Sequence, residues 1–198
     1  MILSVGNLKG GVGKSTSAVY LACGLARTGR TLLVDADPQG SILGWSEDAG
    51  ASFPATVIHW PVRDLGSRVA QVVADYRHVV IDTGPSQEPL LRQALSVTDT
   101  LLVPVAPALM DVREIGRVLQ LVDDLGAVRS VDVRVLLTRV RAGTTSARDA
   151  RAGLLAQGLP LLAAEVHLRE SYAQAWGITP AHLGEYDQVL DELSTVRT

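Results

Sequence analysis

The sequence is short of cysteine, lysine, net charge and long apolar runs, and each shortage removes a class of protein. One cysteine, Cys23, cannot form an internal disulfide or a multi-thiolate metal site. No basic segment with a cleavage site precedes the first strand-like run, so a reduced, cytoplasmic protein is expected. Eighteen basic against 21 acidic residues leave a net charge of −3. That excludes the global basic field that drives nucleic-acid or anionic-membrane binding by itself, so any such contact needs a local patch. The longest nearly uncharged apolar stretch, 101–110, contains two prolines and falls short of the ~20 residues a spanning helix needs. Linkers, repeats and low-complexity tracts are missing as well. What remains is 198 residues, 47% hydrophobic and 20% charged, enough to fold as one domain over 1–198.

Short apolar runs with β-branched content recur at 2–5, 31–34, 79–81, 101–105 and 133–137 and read as buried parallel strands. Helical spacing fills 14–28, 65–75, 88–97, 112–125 and 145–157 between them. Residues 56–59 add an edge strand, and 185–196 a terminal helix that turns Val189, Leu190 and Leu193 inward. The alternation predicts an α/β fold, a mostly parallel twisted sheet with helices on both faces and ligands at the carboxyl ends of its strands.

The first run leads into Lys9-Gly10-Gly11-Val12-Gly13-Lys14-Ser15-Thr16 and then directly into a helix. A glycine loop in that context turns backbone N–H groups toward a phosphate at the helix N-terminus, the mark of a P-loop NTPase. Lys14 is expected to bridge the β- and γ-phosphates of ATP, Ser15 to ligate Mg²⁺, and Thr16 to donate to the α-phosphate. The pattern departs from the usual one in carrying Leu8 where the first glycine belongs and Lys9 just after it. Lys9 and Lys14 are the only lysines in the chain, against 16 arginines. A sequence that prefers arginine elsewhere yet keeps two compact ammonium groups here indicates point-charge contact with phosphate.

These residues, with Val34-Asp35-Ala36-Asp37-Pro38-Gln39-Gly40 and Val80-Ile81-Asp82-Thr83-Gly84-Pro85-Ser86 in the same order, resemble the deviant Walker A ATPases of the ParA/MinD family. Within it, the compact ParF-like plasmid and chromosome partition proteins are the most similar. The resemblance implies that Lys9 reaches across an ATP-sandwich dimer to the partner's nucleotide. It implies that Asp37 orients the attacking water, that Asp35 lies in the Mg²⁺ surroundings, and that Asp82 holds a Mg²⁺-bound water. It makes Gly84-Pro85 a switch that senses the γ-phosphate, Thr138 and Arg139 contacts to the adenine, and 165–172 the loop closing over the nucleotide. The bare residues leave room for other duties. Asp35 and Asp37 before Pro38 are also turn and helix-capping residues, and a threonine at a strand end is commonplace.

The implied partners are a second copy of the chain, as dimer or filament, a small DNA-bound adaptor that stimulates hydrolysis, and DNA without sequence preference. For DNA, the window 134–151 carries Arg134, Arg139, Arg141, Arg148 and Arg151 against Asp149 alone, with Arg141, Arg148 and Arg151 as candidate phosphate contacts. A solvated helix face gives the same pattern. Membrane binding is excluded because the terminal helix is acidic on its polar face. His59, His78, His167 and His182 lack metal-ligand spacing and read as solvated or capping residues. The competing function is a dethiobiotin-synthetase-like ligase or small-molecule kinase on a related fold. Cluster-handling ATPases, which need paired cysteines, are excluded by Cys23 standing alone.

Overall fold

The structure is a computed structural model that describes residues 1–109, 112–126 and 129–195. Strands and helices alternate in the order β1 (Ile2–Val5), α1 (Lys14–Ala26), β2 (Thr31–Asp35), α2 (Ser41–Ala49), β3 (Thr56–His59), α3 (Leu65–Val72), β4 (His78–Asp82) and α4 (Glu88–Leu95). They continue with β5 (Thr100–Val105), α5 (Val112–Leu125), β6 (Asp132–Val140), α6 (Thr145–Ala156), β7 (Leu161–His167), α7 (Glu170–Ala173) and α8 (Tyr186–Thr195). The seven strands form one sheet in the order β3-β2-β4-β1-β5-β6-β7, parallel throughout. This is the expected α/β architecture.

Alternation along each strand sorts the core between the two faces. Leu33, Val80, Leu102 and Leu136 point to the face covered by α1, α2 and α8. Their chain neighbours point the other way: Leu32, Val34, Val79 and Ile81 meet α3 and α4, and Leu101, Val103, Val135 and Leu137 meet α4, α5 and α6. Helix α1 is buried along ten of its 13 residues, because it lies between the sheet and α8 with no solvent face of its own. Its N-terminus therefore cannot drift relative to β1, and this fixes the glycine loop that joins them.

Several details differ from the sequence reading. Strand β2 ends at Asp35 and does not run on to Asp37, because the Asp35 carboxylate turns the chain by accepting the Asp37 N–H. Helix α2 and strand β7 were not expected, and part of the anticipated loop 165–172 is the end of β7 followed by the single turn α7. The terminal helix runs over Tyr186–Thr195 with Val189 and Leu193 buried. The anticipated last residue of that helix, at 196, and the last of the apolar run 101–110 lie outside the described residues.

Candidate functional site

The site lies at the carboxyl edge of the three adjacent strands β2, β4 and β1. Gly11 and Gly13 have φ of +73° and +85°, a left-handed backbone that a side chain would strain, and Gly13 caps α1. The loop is braced from beneath. Asn7 donates from Nδ2 to the Pro104 carbonyl at 2.8 Å and accepts the Lys9 N–H at 3.0 Å. Thr138 donates from Oγ1 to the Val12 carbonyl at 2.7 Å, and the Ser86 N–H reaches the Leu8 carbonyl at 3.0 Å. Asn7 was missed in the sequence, where a lone asparagine after a strand carries no signal of this bracing.

Lys14 is buried, with Nζ donating to the Lys9 carbonyl at 2.7 Å. Burial lowers its pKa, while Asp82 and Asp37 pull it back up. Lys9 is half-buried in the same loop, Gly10 and Gly11 are exposed, and Ser15 and Thr16 are half-buried at the start of α1.

The three aspartates differ sharply in what surrounds them. Asp35 and Asp82 are register partners on β2 and β4. The Asp35 carboxylate is fully occupied: Oδ1 takes the Asp37 N–H at 3.1 Å and Oδ2 takes the N–H groups of Ile42 and Leu43 at 2.9 and 3.0 Å. It thus satisfies donors in the first turn of α2 that have no helical partner. The capping role open to it from sequence describes this geometry, and its register with Asp82 keeps it beside that carboxylate. Burial raises the Asp35 pKa, against these hydrogen bonds and the nearby His59.

Asp82 is 1% exposed, and neither carboxylate oxygen has a hydrogen bond of regular geometry among the described residues. Burial pushes its carboxyl up to about 7, aided by Asp35 and Asp37 and opposed by the Ser15 hydroxyl and by Lys14. A buried carboxylate kept without partners is costly unless a cation completes it. No group of three or more acidic, histidine or cysteine side chains gathers for a metal among the described residues. A hydroxyl beside one buried carboxylate suits Mg²⁺, which keeps most of its waters and takes one or two protein ligands. Asp82 and Ser15 are the groups that fit it.

Asp37 is nearly buried beyond the end of β2, with Oδ1 accepting the Gln39 N–H at 3.0 Å. Its carbonyl accepts the Gly40 N–H at 3.0 Å and is 2.9 Å from His59 Nε2. A Cβ on Gly84 would stand 2.8 Å from Asp37 Cγ and Oδ1, and one on Gly10 would stand 3.7 Å from Pro85 Cβ. The 84–86 turn therefore touches both the Asp37 side chain and the glycine loop.

Beside Gly13 and Thr16 opens a cavity of about 250 Å³. Arg139, His167, Leu168, Arg169, Tyr172 and Trp176 line it. Trp45, buried and 5.8 Å from the Trp176 ring, forms part of the wall. Arg139 holds φ of +53° at the rim. Thr138 lines the cavity too; its hydroxyl donates to the loop carbonyl and braces the loop, which leaves its oxygen able only to accept. Glu185 organises one side by accepting from His167 Nδ1 at 3.0 Å, Arg169 Nε at 2.7 Å and Tyr172 at 2.5 Å. Burial would raise the Glu185 carboxyl, but these bonds outweigh it and hold it at about 2.

The arginine window divides. Arg151 pairs with Glu165 at 2.5 Å and donates to the Leu162 and Ala163 carbonyls. Arg134 pairs with Asp132 at 3.0 Å. Arg151 is thus a bolt between α6 and β7 and not an open phosphate contact. Arg141 and Arg148 are exposed and line one depression, whose wall the half-buried, paired Arg151 also forms.

A parallel sheet whose central strand feeds a glycine loop and helix, with an aspartate ending the neighbouring strand, defines a P-loop nucleotide-binding domain. Residues 3–177 match the CobQ/CobB/MinD/ParA nucleotide binding domain family, and the chain belongs to that family. It is 34% identical over 176 residues to the maintenance of carboxysome distribution protein A of Gloeobacter kilaueensis, covering 88% of this chain and 80% of that one. The protein of the same name from Halothiobacillus neapolitanus is 29% identical over 209 residues, covering 96% and 95%. The chromosome-partitioning ATPase Soj of Thermus thermophilus is 30% identical over 164 residues, covering 68% and 66%. Among solved structures, the ATP complex of an aspartate-to-alanine variant of Cyanothece McdA shares the fold. Its TM-score is 0.80 at 20% identity, over 98% of this chain and 96% of that one. No helix among the described residues is long and apolar enough to cross a membrane.

Proposed function

We propose that the chain is an ATP-driven switch that binds ATP·Mg²⁺, pairs with a second copy through the nucleotide, and hydrolyses ATP when an adaptor protein stimulates it. The observation that carries this reading is Asp82: a buried carboxylate with no hydrogen bond of regular geometry among the described residues, set between Ser15 and Lys14 at the root of a phosphate loop. Mg²⁺ at Ser15 and, through water, at Asp82 would neutralise charge on the β- and γ-phosphates. The amides of residues 10–16 cradle the phosphates and Lys14 exchanges its bond to the Lys9 carbonyl for the nucleotide's oxygens. Asp37 orients the attacking water, which is most of what phosphoryl transfer asks of a protein. The 84–86 turn, in contact with both Asp37 and the loop, couples the γ-phosphate to the site's shape. Lys9 is free to extend, since its side chain makes no ion pair among the described residues, and it serves the partner's nucleotide across the sandwich. The cavity beside Gly13 takes the nucleoside, with Arg139 at its rim.

Relatives named for carboxysome distribution and for chromosome partitioning make cargo distribution along DNA the output we favour. Arg141 and Arg148 supply the DNA contact, which places the protein on the nucleoid, and a small DNA- or cargo-bound protein acts as the adaptor. The test is the solution mass of Asp37→Ala with ADP and then with ATP·Mg²⁺. A doubling or larger assembly with ATP alone, abolished by adding Lys9→Ala, is expected. An unchanged mass overturns the sandwich and leaves a ligase or kinase acting on a separate acceptor.

A further inference from the structure

We propose that His59 is a positioning residue for hydrolysis, holding the turn that aims the Asp37 carboxylate; this rests on the assignment of Asp37 to the attacking water. His59 ends the edge strand β3, whose register with β2 sets it opposite Asp35. From there its ring crosses the end of β2 and Nε2 comes to 2.9 Å from the Asp37 carbonyl. A carbonyl only accepts, so Nε2 carries the hydrogen and donates. The same carbonyl takes the Gly40 N–H at 3.0 Å, which closes the 37–40 turn. Gly40 has φ of +65°, and a Cβ there would stand 3.6 Å from His59 Cε1, so the turn lies flat against the imidazole.

Asp37 is thereby gripped on three sides. Its N–H goes to Asp35, its carbonyl to His59, and its carboxylate is backed by Gly84. The first and third grips come from residues of the nucleotide motifs. The second comes from a strand 22 positions further along the chain, outside all of them. Fixing both peptide planes around Asp37 fixes the direction of its Cα–Cβ bond, and with it where the carboxylate points. Without His59 the turn retains the Gly40 N–H on that carbonyl and the Gln39 N–H on Oδ1, and the peptide plane that aims the carboxylate is held less firmly. Misplacement of a reacting group by about 1 Å costs on the order of 100-fold in rate.

The experiment uses the intact chain as wild type, His59→Ala, His59→Gln and Asp37→Ala. It measures single-turnover hydrolysis at saturating ATP·Mg²⁺, the Kd for a fluorescent ATP analogue, and thermal melting. His59→Ala is expected to hydrolyse roughly 10- to 100-fold more slowly with Kd within about threefold of wild type. His59→Gln, whose amide nitrogen can donate from about the place of Nε2, is expected to recover most of the rate. Hydrolysis by His59→Ala at the wild-type rate overturns the proposal. So does a loss of rate, affinity and melting temperature together that glutamine does not rescue, which marks a merely structural side chain. Asp37→Ala separates the two readings. If it hydrolyses normally, the assignment of Asp37 fails and His59 falls with it; if it is inactive while His59→Ala is active, only the role of His59 fails.

Discussion

Asp35 and Asp82 face each other across adjacent strands, yet their chemistry diverges because of what the chain does after each one. After Asp35 the chain turns into α2 and presents three N–H groups to the carboxylate, which becomes a structural cap. After Asp82 it moves away through Thr83 and Gly84, and no donor returns. In the sequence both are an aspartate ending an apolar run, and their separate duties depend on where β2 stops, which local pattern does not fix. The Gly84 contact is similarly invisible in the chain order and leads to a direct prediction. Gly84→Ala places a methyl group against the Asp37 carboxylate, which must move to make room for it. We expect hydrolysis to fall about tenfold or more, with nucleotide affinity within about threefold of wild type. Equal loss of affinity and rate would mean that the 84–86 turn supports the phosphate loop as a whole and does not aim Asp37.

Elements with a strong pattern were readable, and those without one were not. The five inner strands β1, β2, β4, β5 and β6 are runs of leucine, valine and isoleucine, and their helices carry recognisable spacing, so the parallel sheet and its phosphate loop follow from the sequence. Helix α2 buries only Ile42 and Trp45 and begins straight after a glycine turn that also reads as loop. Strand β7, Leu-Leu-Ala-Ala-Glu-Val-His, alternates in burial but uses alanine and glutamate, which are poor strand formers, and its register with β6 shifts twice. Because β7 carries so weak a pattern, the pairing of its Glu165 with Arg151 is not legible in the sequence, where Arg141, Arg148 and Arg151 look equally available for DNA. The corrected prediction separates them. Arg141→Glu with Arg148→Glu should release the ATP-bound protein from DNA and flatten the salt dependence, without changing the melting temperature. Arg151→Ala should instead cost about 1 kcal/mol, a half-exposed ion pair plus two carbonyl contacts, and leave DNA retention intact. Retention lost in Arg151→Ala at unchanged stability would reverse this division.

At the scale of the whole molecule, the carboxyl ends of β2 and β4 bring Asp35 and Asp82 together beside Lys14, and the burial of Asp82 there makes stability depend on pH. Asp82 has a folded pKa of about 7 against an unfolded value near 3.8, chiefly because it is buried. Between those two values the folded chain holds a proton that the unfolded chain has released, so this group's contribution to stability falls as pH rises from about 4 to 7 and is wholly lost above. The size of the loss is at most about 4 kcal/mol. Glu185 acts in the opposite sense and in another range: its carboxyl, held at about 2, stabilises the fold above its unfolded value near 4.5 and loses that contribution as pH drops toward 2. Nucleotide-free protein should therefore be most stable on the acid side of neutrality. Urea unfolding of wild type and Asp82→Asn from pH 4 to 8 isolates the aspartate, because groups not coupled to it cancel in the difference. The variant should gain on wild type steadily through pH 4 to 7 and keep its advantage beyond. A difference that does not vary with pH would mean that the Asp82 carboxylate is already neutralised in the free protein, and that nothing at this edge waits for a cation.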